Sequence, residues 1–535
     1  MASLKTRLQT VQTTLPKVAY AATIALFLWL VAGFYLPGKG FSALIIFGDK
    51  MQERALPELK VLEPYMDADS YGYDGQFYAQ IAIRPELRSE DLNTAVDNLP
   101  YRARRILLSW TAWALGGGEP ARVLQVYALQ NVVCWLALAA LLLRWFPPTN
   151  WENYVRWAGT LFSFGMCFSV RGSLLDGPSL LLIAIGVALL ERGRSWSATI
   201  VLGLSGLMRE TNILAAPALV EPEKKPVSEW FWMLMRAALV AVPLVLWLSY
   251  LYWVFGAHEM GGTGNLNAPF TGFGQKWADT WTAVSTNGLT EAVFSSLVTM
   301  IALTVQASYL VCAPRWKEAW WRIGIMYVML MAILGYAVWE GSPGASGRAL
   351  LPMSLAFNVL LPRGRRWWLV LLLGNITVFS AFGAFKLPGM QSYRVTGQEA
   401  LVASEAREWT VVFDENWYAA ERSRGEYWRW SSGDAAITIL NPHEQAVIAE
   451  VSFGLRSKIE RNIRVFVAGK DEPLWTGRVS DSVTRVSLRG LCIDPGETVW
   501  RFETDVPGQP PGPHDQRPVA FSLRNLEFDL RAKAD

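Results

Sequence analysis

Four stretches of this chain, 123–143, 237–257, 292–314 and 367–385, carry no charged residue over a length that reaches or approaches a bilayer crossing. A helix needs about 20 apolar residues to traverse roughly 30 Å of hydrocarbon. Inside that layer each backbone amide must find its partner within the chain, so open sheets and irregular segments are excluded there. The chain therefore reads as a polytopic helical membrane protein and not as a soluble fold. Composition agrees: of 535 residues 52% are hydrophobic, only 18% are charged, and 26 are tryptophan. A soluble domain carries about 25% charged residues.

The net charge of +3 conceals two opposed halves. Residues 395–535 hold 17 basic and 22 acidic side chains, whereas the preceding 394 residues hold 32 and 24. The basic residues lie at the edges of apolar runs and form no separate patch, which excludes a nucleic-acid partner. Cys134, Cys167 and Cys312 lie in apolar runs and Cys492 stands alone, so neither a disulfide framework nor a zinc site can be built from them.

Lys5, Arg7 and Lys17 precede the apolar run 18–36, which has the length of a full span and no small-residue cleavage site after it. It reads as a retained first helix rather than a signal peptide. With the N-terminus in the cytoplasm, further crossings near 121–145, 154–170, 178–190, 230–256, 291–313, 321–340, 346–361 and 367–387 put every basic connector inside. These connectors hold Arg144 and Arg156, Arg192 and Arg194, Lys224 and Lys225, Arg315 and Lys317, and Arg363, Arg365 and Arg366. Short basic loops stay on the cytoplasmic side. About nine crossings then leave the acidic C-terminal segment outside.

Two segments do not fit as spans. Residues 106–115 are too short, and 196–220 has basic flanks at both ends with Arg209 and Glu210 at its centre. A re-entrant hairpin turning near Arg209–Asn212 satisfies both flanks, and broken backbone at that depth implies a cavity beside it. The expected organisation is a transmembrane domain over 1–390, with a large first outer loop at 37–104, and an outer domain over 391–535. Period-two runs such as Val447, Ala449, Val451, Phe453 and Leu455, separated by Gly, Pro, Asn and Asp, predict an all-β sandwich for the second domain. No internal repeat is evident, which disfavours a transporter built from repeated halves.

The chemistry is sought where charge meets the membrane edge. The first outer loop carries Asp67-Ala-Asp69-Ser-Tyr-Gly-Tyr73-Asp74-Gly75-Gln76-Phe77-Tyr78. A carboxylate there suits removal of a proton from a sugar hydroxyl, with Tyr73, Phe77 and Tyr78 as stacking faces. Gly75 suits close backbone approach to a ligand. A solvated acidic turn with Asp74 as helix N-cap is the plainer alternative. Tyr101-Arg102-Ala103-Arg104-Arg105 follows. Three arginines on the outer side suit a phosphate or pyrophosphate, which a guanidinium holds with two parallel hydrogen bonds; lipid snorkelling is the alternative. Arg209 and Glu210 cost about 2.5–3.5 kcal/mol each at membrane depth. They neutralise one another or, in the other reading, Glu210 pairs with the outer arginines. Arg171 and Asp176 read as a local ion pair across an outer turn. Arg348, with no acidic residue nearby after Glu340, reads as a phosphate ligand.

The strings Tyr73-Asp74-Gly75-Gln76-Phe77-Tyr78, Tyr101-Arg102-Ala103-Arg104-Arg105, Leu207-Met-Arg209-Glu210-Thr211 and Gly347-Arg348-Ala-Leu-Leu-Pro352, in this order and with this sidedness, resemble the GT-C superfamily of polytopic membrane glycosyltransferases, in particular its bacterial members. The resemblance covers about residues 15–390. It implies an inverting glycosyltransferase of the bacterial inner (cytoplasmic) membrane, with the catalytic loop and C-terminal domain on the periplasmic side. It also implies a polyprenyl-phosphate-linked sugar donor and a glycan, lipid or protein acceptor. The implied base is Asp74, with Asp69 and Asp67 as alternates; Arg102, Arg104, Arg105, Arg209, Glu210 and Arg348 would serve the donor phosphate. The resemblance fixes no cofactor; a divalent metal bridging carboxylate and phosphate fits the chemistry, and the three scattered histidines build no site of their own. The C-terminal segment resembles the carbohydrate-binding sandwiches appended to such enzymes. Trp409, Trp417, Trp428, Trp430, Trp475 and Trp500 are of the type that stacks on sugars, although most aromatics in a small sandwich fill its core. Asp515 and Arg517 read as a structural pair. A transporter or flippase of lipid-linked glycans is the alternative function, and a glycan-binding scaffold a third, which leaves Arg209 and Glu210 without a role.

Overall fold

The structure, a computed structural model, describes residues 2–36, 38–67, 70–222, 226–256, 263–385, 393–397, 409–418, 420–423, 426–443, 445–510 and 517–532. Asp69, Lys224, Lys225 and Asp515, which carried expectations above, lie outside these residues. The chain divides into two compact units, Met1–Lys386 and Leu387–Asp535.

The first unit is helical. Among the described residues five helical stretches are long and apolar enough to cross a membrane: Leu15–Ala32, Pro120–Leu142, Val227–Phe255, Glu291–Cys312 and Arg365–Phe385. Phe164–Arg171 and Asp176–Leu190 make a sixth if they count as one span, though they bend by 119° at the intervening turn. The remaining expected crossings fall on shorter apolar helices, Ala319–Ile333 and Leu351–Leu360. Local chemistry sets several boundaries. Glu119 accepts hydrogen bonds from the amides of Ala121 and Arg122 ahead of Pro120, whose missing N–H costs a first helical turn nothing. The Ser163 hydroxyl caps Phe164–Arg171, and the Thr290 hydroxyl caps Glu291–Cys312.

Several buried polar groups in this unit are paired across the helices. Arg156 donates to the carbonyls of Asn358 and Leu361 and to Glu152, while Asn358 and Asn375 exchange side-chain hydrogen bonds at 2.8 and 2.9 Å. Residues 196–220 do fold back on themselves. Helix Ser195–Met208 ends at an extended Arg209, and Glu210–Leu219 returns as a 3-10 helix until Leu219 shares a cavity with Ser195 and Trp196. The Asn212 amide donates to the Ser205 carbonyl at 2.9 Å and closes the turn. Residues 106–115 form the nine-residue helix Leu107–Leu115, which stops at Gly116.

The second unit is two antiparallel-based sheets. One runs in the order Pro473–Val479, Arg461–Val467, Gly496–Thr504, Ala435–Asn441, Thr410–Phe413. The other runs Thr484–Ile493, Val447–Arg456, Ser522–Ala532, Glu426–Trp430, Glu421–Ser423, with Tyr393–Thr396 parallel to Ser522–Ala532. The alternation read in the sequence is the inward face: Val447, Ala449, Val451, Phe453 and Leu455 are all buried. Trp409, Trp417, Trp430 and Trp500 are buried too and do not offer faces to sugars, because the core of so small a domain needs their volume. Trp428 lies under Arg524, whose guanidinium carbon sits 4.3 Å from the ring centre.

Candidate functional site

The loop over 37–104 is pinned as a frame. Phe47–Gly48 pairs in parallel with Met66–Asp67. The amides of Lys50 and Tyr73 donate to the carbonyls of Ser70 and Ile46 at 3.1 and 2.9 Å. The Gln76 side chain accepts from the Gly48 amide and donates to the Tyr71 carbonyl at 2.7 Å. Helix Gly75–Ile83, buried along its whole length, starts from this frame. Gly75 permits a close approach, but to the chain's own backbone: a Cβ there would lie 2.1 Å from the Gly172 carbonyl oxygen. That contact sets the acidic loop against the turn between Arg171 and Asp176. Gly75→Ala is accordingly expected to push the two segments apart, lowering the melting temperature and any activity together. A variant that melts with the parent would show that the contact is dispensable.

Asp74 occupies the position ahead of that helix but makes no side-chain cap to it. Its carboxylate turns to Arg102 at 3.0 Å. Arg102 also holds Asp97 with two hydrogen bonds, at 3.0 and 2.7 Å, and stacks near Phe77 and Tyr78. The Arg102 guanidinium is thus already shared by two carboxylates. Burial favours the neutral form of Asp74, but the Arg102 and Arg348 guanidiniums outweigh it and hold the carboxyl below the usual range. Asp67 is the opposite case. Burial lifts its carboxyl above the usual range, and Arg171, 3.9 Å away, offsets only part of this.

Arg105 reaches the hairpin. Its Nε donates to Glu210 at 2.8 Å and its Nη groups to the hydroxyls of Tyr78 and Tyr101, both at 3.0 Å. Glu210 thus pairs with the outer arginines and not with its neighbour. Arg209 turns to Asp176, which also receives Arg348 at 3.0 Å; Arg348 donates in addition to the Tyr73 hydroxyl at 2.7 Å. Two expectations are corrected here. Asp176 does not pair with Arg171, whose partners are Asp67 and the Ala43 carbonyl. Arg348 does have an acidic partner, supplied from 172 residues away. Gly165 allows this, since a Cβ there would meet the Gly347 carbonyl at 2.5 Å.

The stacking role is corrected as well. Tyr78 is 2% exposed and its hydroxyl serves Arg105, while Phe77 is buried beneath Arg102. Helix Gly75–Ile83 is wholly internal, so its aromatic side chains build the floor. Tyr73 is half-buried, edge-on to Phe168, with Arg348 over both rings. Arg104 stacks on Tyr101 at 5.3 Å.

The result is three linked groups of charges from five separate parts of the sequence: Asp97–Arg102–Asp74, Tyr73–Arg348–Asp176–Arg209, and Glu210–Arg105–Tyr101. Their exposed edge consists of Asp74, Glu210 and Arg209, with side chains 36%, 22% and 20% accessible. Beneath them lie Asp176 at 2% and Arg348 at 7%. Asp176 faces two guanidiniums, and over the whole network four carboxylates, Asp74, Asp97, Asp176 and Glu210, stand against four guanidiniums. Asp97 and Asp176 are the members that sequence reasoning missed. Asp176 carried a signal, a carboxylate opening an apolar helix, which is costly there without a partner. Asp97 carried none. Among the described residues no three His, Cys, Asp or Glu side chains gather where they could hold a metal ion.

No family model matches the chain, and no curated protein matches it. Among solved structures it is similar to the arabinosyltransferase EmbB from Mycobacterium smegmatis, determined by cryo-EM. The TM-score is 0.38 and the identity 10%, over 96% of this chain and 64% of that one. The chain thus spans less than two thirds of the length of the protein it matches, and a likeness at that score decides neither fold nor chemistry.

Proposed function

We propose that this protein is a GT-C-type glycosyltransferase that moves a sugar from a polyprenyl-phosphate donor to an acceptor hydroxyl at the outer face of a bacterial inner membrane. One observation supports the reading: an accessible ionised carboxylate, Asp74, feels the charge of Arg348, one of two arginines that share a single carboxylate, Asp176. In this mechanism the acceptor O–H gives its proton to Asp74, and its oxygen attacks the anomeric carbon. The bond from that carbon to the phosphate oxygen breaks, and the configuration inverts. The departing phosphate carries its charge to Arg209 and Arg348, with Arg104 at the rim. Arg102 and Arg105 orient Asp74 and Glu210. Arg209 and Arg348 suit a flippase too, but a flippase has no use for the carboxylate.

Purified protein supplied with polyprenyl-phosphate pentoses and hexoses should release polyprenyl phosphate only when an acceptor is present. Movement of intact donor across vesicles without release would replace the enzyme with a transporter. The pH dependence separates the carboxylates. A general base must be ionised, so the rate is held at high pH and lost as pH falls through its pKa. With Asp74 as base, that acidic limb lies below the ordinary carboxylate range; a limb above it would point to Asp67.

Orientation follows the basic connectors. Single cysteines placed at 53 and 470 should react with an impermeant reagent from outside, and one at 363 should not. The reverse pattern would invert the membrane assignment.

A further inference from the structure

A second cavity, of about 430 Å³, lies at the far end of the hairpin from Arg209. It is lined by Ser195 and Trp196, where the hairpin begins, by Leu219 and Glu221, where it ends, and by helix Val227–Leu239. That helix contributes Glu229, Trp232 and Arg236, spaced three and four residues apart and so on one face. Trp196 and Trp232 meet edge to face at 6.4 Å. Arg236 lies 5.9 Å from the centre of the Trp196 ring, and its Nε is buried without a hydrogen-bond partner. Arg192 and Arg194 stand just before the hairpin, which marks this end as cytoplasmic by the same charge bias.

The lining sets one guanidinium, Arg236, on the same helix face as the exposed carboxylate of Glu229. A ligand with a phosphate and an ammonium group matches both signs at once: phosphate to Arg236, ammonium to Glu229. The two tryptophans suit the glycerol and upper acyl region, since indole rings settle at the membrane interface. We propose that this cavity binds the phosphoethanolamine headgroup of an inner-leaflet phospholipid. The bound lipid would tie helix Val227–Leu239 to both ends of the hairpin, and through the hairpin to Arg209 and Glu210.

Native mass spectrometry of the full-length protein, delipidated and then supplied with phosphatidylethanolamine, phosphatidylglycerol or glycerophosphoethanolamine, tests this. Phosphatidylethanolamine should be retained at least several-fold better than phosphatidylglycerol, and the water-soluble headgroup should not be retained. Arg236→Gln should weaken retention of both lipids about tenfold, the loss of one charge-assisted hydrogen bond. Glu229→Gln, on an exposed side chain that the fold does not require, should narrow the preference between the two lipids. Equal or better retention of phosphatidylglycerol by the parent, or unchanged retention and preference in both variants, would overturn the assignment. Retention of glycerophosphoethanolamine as strong as that of the lipid would place a soluble metabolite there instead.

Discussion

Asp74→Asn is expected to lower sugar transfer by about 10²–10⁴-fold, the usual contribution of a positioned general base, while the protein still folds and still binds donor. The fold should survive because Arg102 keeps its two hydrogen bonds to Asp97 when the Asp74 carboxylate becomes an amide. Asparagine fills the same volume and can still accept from Arg102, so only the capacity to take a proton is removed. Donor binding should survive because the arginines assigned to the phosphate, Arg209 and Arg348, are held by Asp176 and not by Asp74. The comparison that gives this force is Arg348→Ala, which should weaken donor binding and not the turnover step alone. Full activity in Asp74→Asn, with loss in Asp67→Asn or Asp69→Asn, would move the base within the same loop. Full activity in all three would remove general-base chemistry from the loop altogether.

What could be read from the sequence divides along a physical line. Properties carried by neighbouring residues were legible. Charge-free length gave the long helices, alternation gave the inward face from Val447 to Leu455, and basic flanks at both ends gave the break at Arg209. The loop's importance was legible too, because carboxylates, tyrosines and arginines at a membrane edge are unusual company. Partnership was not legible. Asp176 and Arg171 stand five residues apart and look paired, yet a turn and a bend of 119° send them to different neighbours. Arg348 looked solitary because its partner is 172 residues upstream. Tyr78 looked like a sugar platform because a string of letters does not say which face of a short helix is covered. Electrostatic networks assembled from several helices leave no periodic trace, since each member answers to a residue that the local pattern does not contain.

Asp176→Asn is the substitution expected to cost the most stability. The carboxylate, itself 2% accessible, is the shared partner of Arg209 and Arg348, and Arg348 is buried at 7%. Removing one member of a buried charged group leaves the others uncompensated, which costs about 3–5 kcal/mol. Exposed pairs are worth roughly 0–1 kcal/mol, so Glu503→Gln, which breaks the surface pair with Arg464 at 2.9 Å, serves as the matched control. In detergent, Asp176→Asn should melt well below the parent and Glu503→Gln close to it. The double variant Asp176→Asn with Arg348→Met should recover part of the loss, because it withdraws one of the two stranded charges and fills its space with an apolar chain. If Asp176→Asn melts within about 1 °C of the parent, roughly 1 kcal/mol for a chain of this size, the arginines have another source of compensation and the shared-carboxylate argument fails. The same variant also probes the ligand. A phosphate that enters between Arg209 and Arg348 replaces the missing negative charge, and anything that binds only the folded state raises its stability. Added polyprenyl phosphate should therefore raise the melting temperature of Asp176→Asn more than that of the parent. An equal rise in both would mean that the phosphate is held elsewhere, with the outer arginines Arg104 and Arg105 as the next place to look.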